Sequence, residues 1–311
     1  MLRMEQIQVA FGCAARDALC AAFDGAQTRI DAEFYSISDP DVIARLNAAA
    51  VRHVDVNVHV EGNPSRFGRK PDTGEKADSA DASSSLATLR SKFSDAVHLT
   101  VEDHPGMLVH SKAVVVDEHT AFISTANPTK CGFESPGEVL VSVDSARDVA
   151  AVEASIAGSR AVAGDYVVTG PSSMVRPRIN HLMGTMSDLR IATEDLSDAD
   201  VINQLAVRNT QGHHDHVLLE ADCHVSRTQY HALAQLRSAG IDVRTMPTGY
   251  MHEKYVDAGD EIYVGSANLT RNGLDEAREI GIVAPSAAFG TGANALRADF
   301  DAMWARAVAT R

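Results

Sequence analysis

Three things are scarce in this sequence, and each scarcity excludes something. Cysteine is the first: Cys13, Cys20, Cys131 and Cys223 are the only four in 311 residues. No two of them have the short spacing of a zinc knuckle or a redox pair, so reduced thiols are expected and a disulfide framework is not. Long apolar runs are the second. No stretch approaches the roughly 18–20 uncharged apolar residues of a membrane span. The opening Met-Leu-Arg-Met-Glu-Gln leads into a segment broken by Arg16, Asp17 and Asp24, not into the apolar centre of a secretory leader. A soluble, cytoplasmic protein is the expectation. Lysine is the third, with 6 against 22 Arg, 27 Asp and 15 Glu, for a net charge of −14. Such a surface excludes a general polyanion binder, whose affinity rests on Lys and Arg neutralising phosphates, but it leaves room for a local basic cleft.

Apolar residues, by contrast, make up 45% of the chain, enough to bury a sizeable core in one large domain or two ordinary ones. The chain also repeats itself. Residues 37–43 (ISDPDVI) recur at 196–202 (LSDADVI), and at the same offset of 159 Val54–Glu61 falls on His213–Glu220. Leu86–Ser91 returns as Leu233–Ser238 at offset 147, His110-Ser-Lys112 as His252-Glu-Lys254 at 142, and Asn127 as Asn268 at 141. The order is kept while the offset shrinks by loop-sized steps, which predicts two copies of one unit. The halves are read as 1–158 and 189–311, joined by a connection over 159–188.

Local patterns give each unit its elements. Val54, Val56, Val58 and Val60 alternate as on a strand, and Asp39 and Asp41 mark the start of a helix running to Ala50. A helix over 86–93, strands at 97–101, 113–116 and 121–124, and closing helices over 144–156 and 293–307 follow. The class is therefore α/β, two similar α/β/α sandwich halves. Residues 62–85 in the first copy, rich in Gly, Pro, Ser and Asp, read as a surface loop. Its Arg66, Arg69 and Lys70 leave two readings open, a solvated loop or a lid over an anionic ligand. Arg176 and Arg178 in the connection are candidates to face a shared cleft. His213-His214-Asp215-His216 alternates between two strand faces, so structural histidines are expected there and no metal site. Tyr250 and His104-Pro105-Gly106 are either cleft-edge or surface-loop residues.

The chemistry lies in the matched polar set. From His110 the intervals to Lys112, Asn127 and Glu138 are 2, 17 and 28; from His252 to Lys254, Asn268 and Glu279 they are 2, 16 and 27. Alternate strand residues share a face, so each His and Lys project together, and a pseudo-twofold packing gathers both sets in one pocket. Such a site suits a phosphodiester. The lysines neutralise non-bridging oxygens, and the asparagines add neutral donors. One His attacks phosphorus while a Glu fixes its tautomer; the other protonates the leaving oxygen and then deprotonates the incoming hydroxyl. The lysines do the electrostatic work of a metal, so neither metal nor cofactor is expected.

H-x-K, four residues and Asp117, with Gly265-Ser266-Ala267-Asn268 after the second copy, resembles the paired HKD motif of the phospholipase D superfamily. The resemblance implies a single-chain pseudo-dimer, monomeric as a protein, and a phosphohistidine intermediate. It implies His110 as nucleophile, His252 as acid/base, and each Glu orienting the His of the opposite half. Asp117 enters the site set through the motif. Its second-copy counterparts are ambiguous, since Gly259 takes the seventh place after His252 and Asp257 and Asp260 flank it. Thr125 stands where Ser266 does, in a first copy that has lost the glycine, and both hydroxyls are candidates for the pocket. Three functions follow. The foremost is metal-independent hydrolysis or phosphatidyl transfer at a phospholipid head group, the second a nuclease of the same fold, and the third a non-enzymatic binding relative.

Overall fold

The valines at 56, 58 and 60 build a strand whose alternate residues are fully buried, and the neighbouring helix Pro40–Val51 starts where Asp39 accepts the backbone amides of Asp41 and Val42. The same cap recurs at offset 159, with Asp198 accepting from Asp200 and Val201 at the head of helix Ala199–Thr210. The structure, a computed structural model, describes residues 7–62, 86–104, 106–159, 162, 164–171, 174–220, 227–248 and 250–309. All but the first residue of the 62–85 loop, with Arg66, Arg69 and Lys70, lies outside them, as do Cys223 and Pro105.

The first sheet holds β1 (Gln8–Phe11), β2 (Arg29–Phe34), β3 (Asp55–Glu61), β4 (Val97–Glu102), β5 (Lys112–Val116), β6 (Thr120–Ser124) and β7 (Val139–Val143) in the order β1-β7-β6-β5-β2-β3-β4. The second holds β8 (Val167–Thr169), β9 (Arg190–Thr193), β10 (His216–Leu219), β11 (Asp242–Thr245), β12 (Lys254–Asp257), β13 (Glu261–Gly265), β14 (Ile280–Pro285) and β15 (Val308–Ala309) in the order β15-β11-β10-β9-β12-β13-β14-β8. Leaving β15 aside, the two agree strand for strand. β2, β3 and β4 are parallel, as are β9, β10 and β11, and every other pairing in both sheets is antiparallel.

This correspondence assigns the segment 159–188 differently from a plain connection. It carries β8 and helix Val175–Met183, which stand to the second sheet as β1 and helix Gly12–Gly25 stand to the first. Paired against β7 and β14, the two strands are offset by 158, which sets Val9 on Val167 and Gly12 on Gly170, and no other residue of 8–12 is repeated. With so few shared residues, the segment has no visible repeat in sequence.

One apolar core lies under the outer face of each sheet, and a third joins the halves. That shared core brings Val115, Ile123 and Val141 of the first sheet to Tyr255, Val264 and Ile282 of the second. Helices Ala146–Ile156 and Thr291–Arg306 contribute Val152 and Phe300 to it. Backbone bonds also cross between halves, with His110 N donating to Arg278 O at 2.9 Å and Arg278 N to Leu108 O at 2.8 Å. The segments before β5 and before β14 are thus tied together, and the matched polar residues gather beside that tie.

Candidate active site

Each H-x-K segment enters its sheet as a central strand, β5 or β12, with the lysine as the first strand residue. A buried glutamate at the end of the strand two places away in the sheet, β3 or β10, fixes the chain just ahead of the histidine. Glu61 accepts Val109 N at 2.9 Å, and Glu220 accepts Met251 N. These two are a matched pair of the repeat, visible in sequence but unassigned there.

The matched histidines, lysines and glutamates of the two halves meet. His110 Nδ1 lies 2.9 and 3.1 Å from the carboxylate oxygens of Glu279, and His252 Nδ1 lies 3.1 Å from Glu138 Oε1. Both pairs cross between halves, and the two imidazole centroids are 6.5 Å apart. A carboxylate only accepts, so each ring holds its proton at Nδ1 and turns Nε2 toward the pocket. Ser266 donates to Glu279 and Thr125 to Glu138, while the same two hydroxyls accept Ile280 N and Val139 N at 2.9 Å. Their hydroxyls are therefore used in holding the glutamates. Lys112 Nζ donates to His110 O at 2.7 Å and Lys254 Nζ to His252 O at 2.6 Å, so each ammonium is placed by the backbone of its own histidine.

Nearly all of this is out of solvent. Lys112, Lys254, Glu138 and Glu279 are buried, and His252 is 3% exposed where His110 is partly open. Burial pushes His110 below the ordinary imidazole value against the pull of Glu279, and Lys112 and Lys254 reinforce the fall. For Glu279, burial works against ionisation, but His110, Lys112 and the Ser266 hydroxyl outweigh it and hold the carboxyl below its usual range.

The halves differ at one position within this set. After β2 comes Tyr35, its ring edge-on to His110 at 5.2 Å and beneath the Lys112 ammonium at 5.7 Å. After β9 comes Glu194, which lies 3.1 Å from Lys254 Nζ, accepts Asn268 Nδ2 at 3.0 Å and approaches His252 Nε2 at 3.4 Å. Tyr250 stacks on His252 and donates to Glu194, so it is a residue of the site. Asn127 is buried in the first half and accepts Ser36 N at 3.4 Å. A second asymmetric feature braces the His110 side. Arg278, adjacent to Glu279, is paired with buried Glu33, which Ser111 also contacts. The offset of 159 sets Glu194 on Tyr35 and Ala192 on Glu33, so only a comparison of the copies for differences finds these residues.

Several expected residues lie elsewhere. Asp117 is past the far end of β5, roughly 16 Å along the strand from Lys112 at about 3.3 Å per residue. It accepts the amides of Gln27, Thr28 and Arg29, and these bonds overcome its burial to draw its pKa down to about 2. It is a turn anchor, not a pocket residue. Asp257, at the far end of β12, is paired with Arg297 and Arg190, and Asp260 is exposed in the following turn. Arg176 and Arg178 do not face the cleft: Arg176 forks onto Asp198 and Asp275, and Arg178 reaches Val283 O and Glu261. Asp215 is buried against Arg208, His213 lies beside Asp188 and His216 stacks on Trp304. His104 bonds to Glu102.

Two crossed His–Glu pairs with their lysines, set on two copies of one α/β unit, define a phospholipase D-superfamily protein. More narrowly, the family model described as "Cardiolipin synthase, PLD-like domain" matches residues 19–158 and 179–304, and the chain belongs to that family. Among solved structures it is similar to a phosphatidylserine synthase from Haemophilus influenzae, with 13% identity and a TM-score of 0.71 over 98% of this chain and 87% of that one. It is also similar to a polyphosphate kinase from Porphyromonas gingivalis, with 18% identity and a TM-score of 0.60 over 86% of this chain. The match spans only 45% of the kinase's length. At such identities the likeness is one of fold. No curated protein matches the chain in sequence.

Proposed function

We propose that this protein is a phosphodiesterase working through a covalent phosphohistidine, with hydrolysis or phosphatidyl transfer at a phospholipid head group as its reaction. The observation that carries the reading is the crossed pairing of His110 with Glu279 and of His252 with Glu138, with Lys112 and Lys254 beside them. The family description and the full-length likeness in fold to a phosphatidylserine synthase support the lipid-directed substrate.

The chain's own residues supply each step. Glu279 holds the proton of His110 at Nδ1, which leaves the Nε2 lone pair to attack phosphorus. As the N–P bond forms, the ester P–O bond breaks on the opposite side and the departing alkoxide takes a proton from His252. Lys112 and Lys254, with Asn127 and Asn268, stabilise the charge on the non-bridging oxygens. A water or alcohol then loses its proton to His252 and attacks the phosphohistidine, breaking the N–P bond and restoring His110. His110 is assigned as nucleophile because its Nε2 has no partner among the described residues, whereas Nε2 of His252 already faces Glu194.

The test is a parallel assay of phosphatidylcholine with and without an alcohol acceptor, single-stranded DNA, and bis(p-nitrophenyl) phosphate, each in excess EDTA. Head-group release with transfer to the alcohol is the expected result. Strand cleavage in place of lipid turnover replaces the lipid reading with the nuclease one. Activity abolished by chelation and restored by zinc contradicts the lysine-based mechanism.

A further inference from the structure

Glu194 stands where the second half would receive a phosphate oxygen. Its carboxylate is held by Lys254 Nζ at 3.1 Å and Asn268 Nδ2 at 3.0 Å, lies 3.4 Å from His252 Nε2, and is steadied by the Tyr250 hydroxyl. Lys254, Asn268 and His252 are the groups this half offers to a phosphodiester, so carboxylate and phosphate compete for one place. At the matching position the first half carries Tyr35, an uncharged ring beneath the Lys112 ammonium, in place of a carboxylate.

We propose that Glu194 is an internal anion occupying the phosphate subsite of the second half, and that it sets specificity because any phosphodiester must displace it to bind. The inference rests on reading Lys254, Asn268 and His252 as phosphate-binding groups. Its physical logic is the burial of Lys254, which is 1% exposed. An ammonium buried without a counter-charge is strongly destabilising, and Glu194 supplies that charge until a phosphate arrives. Burial works against ionisation of Glu194, but Lys254 and His252, with Tyr250 and Asn268, hold its carboxyl well below the usual range, so the anion is present at neutral pH. A simple phosphate gains little by exchanging one anion for another. A diester with further contacts along its ester arms gains enough to displace the carboxylate, and the site thereby rejects free phosphate.

The experiment is titration of inorganic phosphate into the full-length protein and its Glu194→Gln variant by calorimetry, with the KM for bis(p-nitrophenyl) phosphate measured alongside. Phosphate is expected to bind Glu194→Gln at least about tenfold more tightly, which corresponds to about 1.4 kcal/mol, and the KM is expected to fall. A carboxylate that merely braces the fold would not tighten anion binding when neutralised. Unchanged or weaker phosphate binding overturns the proposal. Should Glu194→Gln fail to fold, the same decision falls to Tyr250→Phe, which removes one anchor of the carboxylate and is expected to tighten phosphate binding by a smaller factor. Wild-type diesterase activity with phosphate affinity unmoved in the variant rejects the role of Glu194 alone. Tightened phosphate binding in a protein without diesterase activity rejects the enzymatic reading alone and leaves Glu194 as the internal anion.

Discussion

His110 and His252 present the same nitrogens to different surroundings, and the difference governs the pH behaviour expected of the enzyme. Burial, reinforced by the two lysines, keeps His110 below the imidazole reference of 6.5. The neutral ring is the attacking form, so kcat/KM is expected to fall on the acid side below pH 6.5. Glu279 opposes that shift by favouring the imidazolium. Glu279→Gln is therefore expected to move the acid limb to still lower pH while reducing kcat about 10²-fold, the scale of a positioned acid–base partner; a limb that moves upward contradicts the assignment. The His, Lys, Asn and Glu of each copy were legible because their spacing repeats. Asp117 was misplaced because motif membership says nothing about which end of a strand a residue occupies. Asp117→Ala is expected to cost about 1.5–3 kcal/mol, as for hydrogen bonds to a charged group, with little change in kcat. That stability is present above the ordinary Asp pKa and disappears as pH falls toward about 2. Denaturation midpoints at pH 7 and pH 3 check it, and a large loss of kcat without loss of stability returns Asp117 to the site.

At the scale of elements, the strands and most helices with strong local signals fall within two residues of their expected bounds, whereas the helix expected over 86–93 ends at Arg90. Ser145 and Asp198 cap helices by accepting amides three residues on, and valine alternation marks β3. What stayed hidden was β8 with its following helix, because three strand residues and a Pro- and Arg-containing helix share a position with β1 and Gly12–Gly25 without sharing their residues. Position in a sheet is set by hydrogen-bond pairing with β14, which no local pattern encodes. The glutamates ending the parallel strands were in view but idle until their amide partners were known. Glu220, on Met251 N, fixes the chain one residue before His252. Glu220→Ala is expected to lower kcat at least about tenfold, since small displacements of a reacting group are costly, with KM changed far less. Equal changes in stability and none in kcat would make it a fold residue only.

For the whole molecule, the −14 charge and the buried lysines belong to different regions. The exterior repels anions over a Debye length, about 10 Å at 0.1 M salt, whereas Lys112 and Lys254 act only at contact. Raising the salt screens the repulsion, so kcat/KM for a soluble anionic diester is expected to hold or rise with ionic strength. A steep fall, as for proteins that bind through neutralised phosphates, would contradict this and favour a nucleic-acid substrate. No helix among the described residues is long and apolar enough to cross a membrane. The two halves close on a single site, and the division of labour between their histidines is the central claim. Its most direct measurement is rapid acid-free quenching of the protein with a diester labelled at phosphorus, followed by mapping of the labelled peptide in wild type, His110→Ala and His252→Ala. The expected result is an acid-labile phosphohistidine at His110, accumulating in His252→Ala and absent from His110→Ala. Turnover with no covalent label, or a label that survives in His110→Ala, would contradict it.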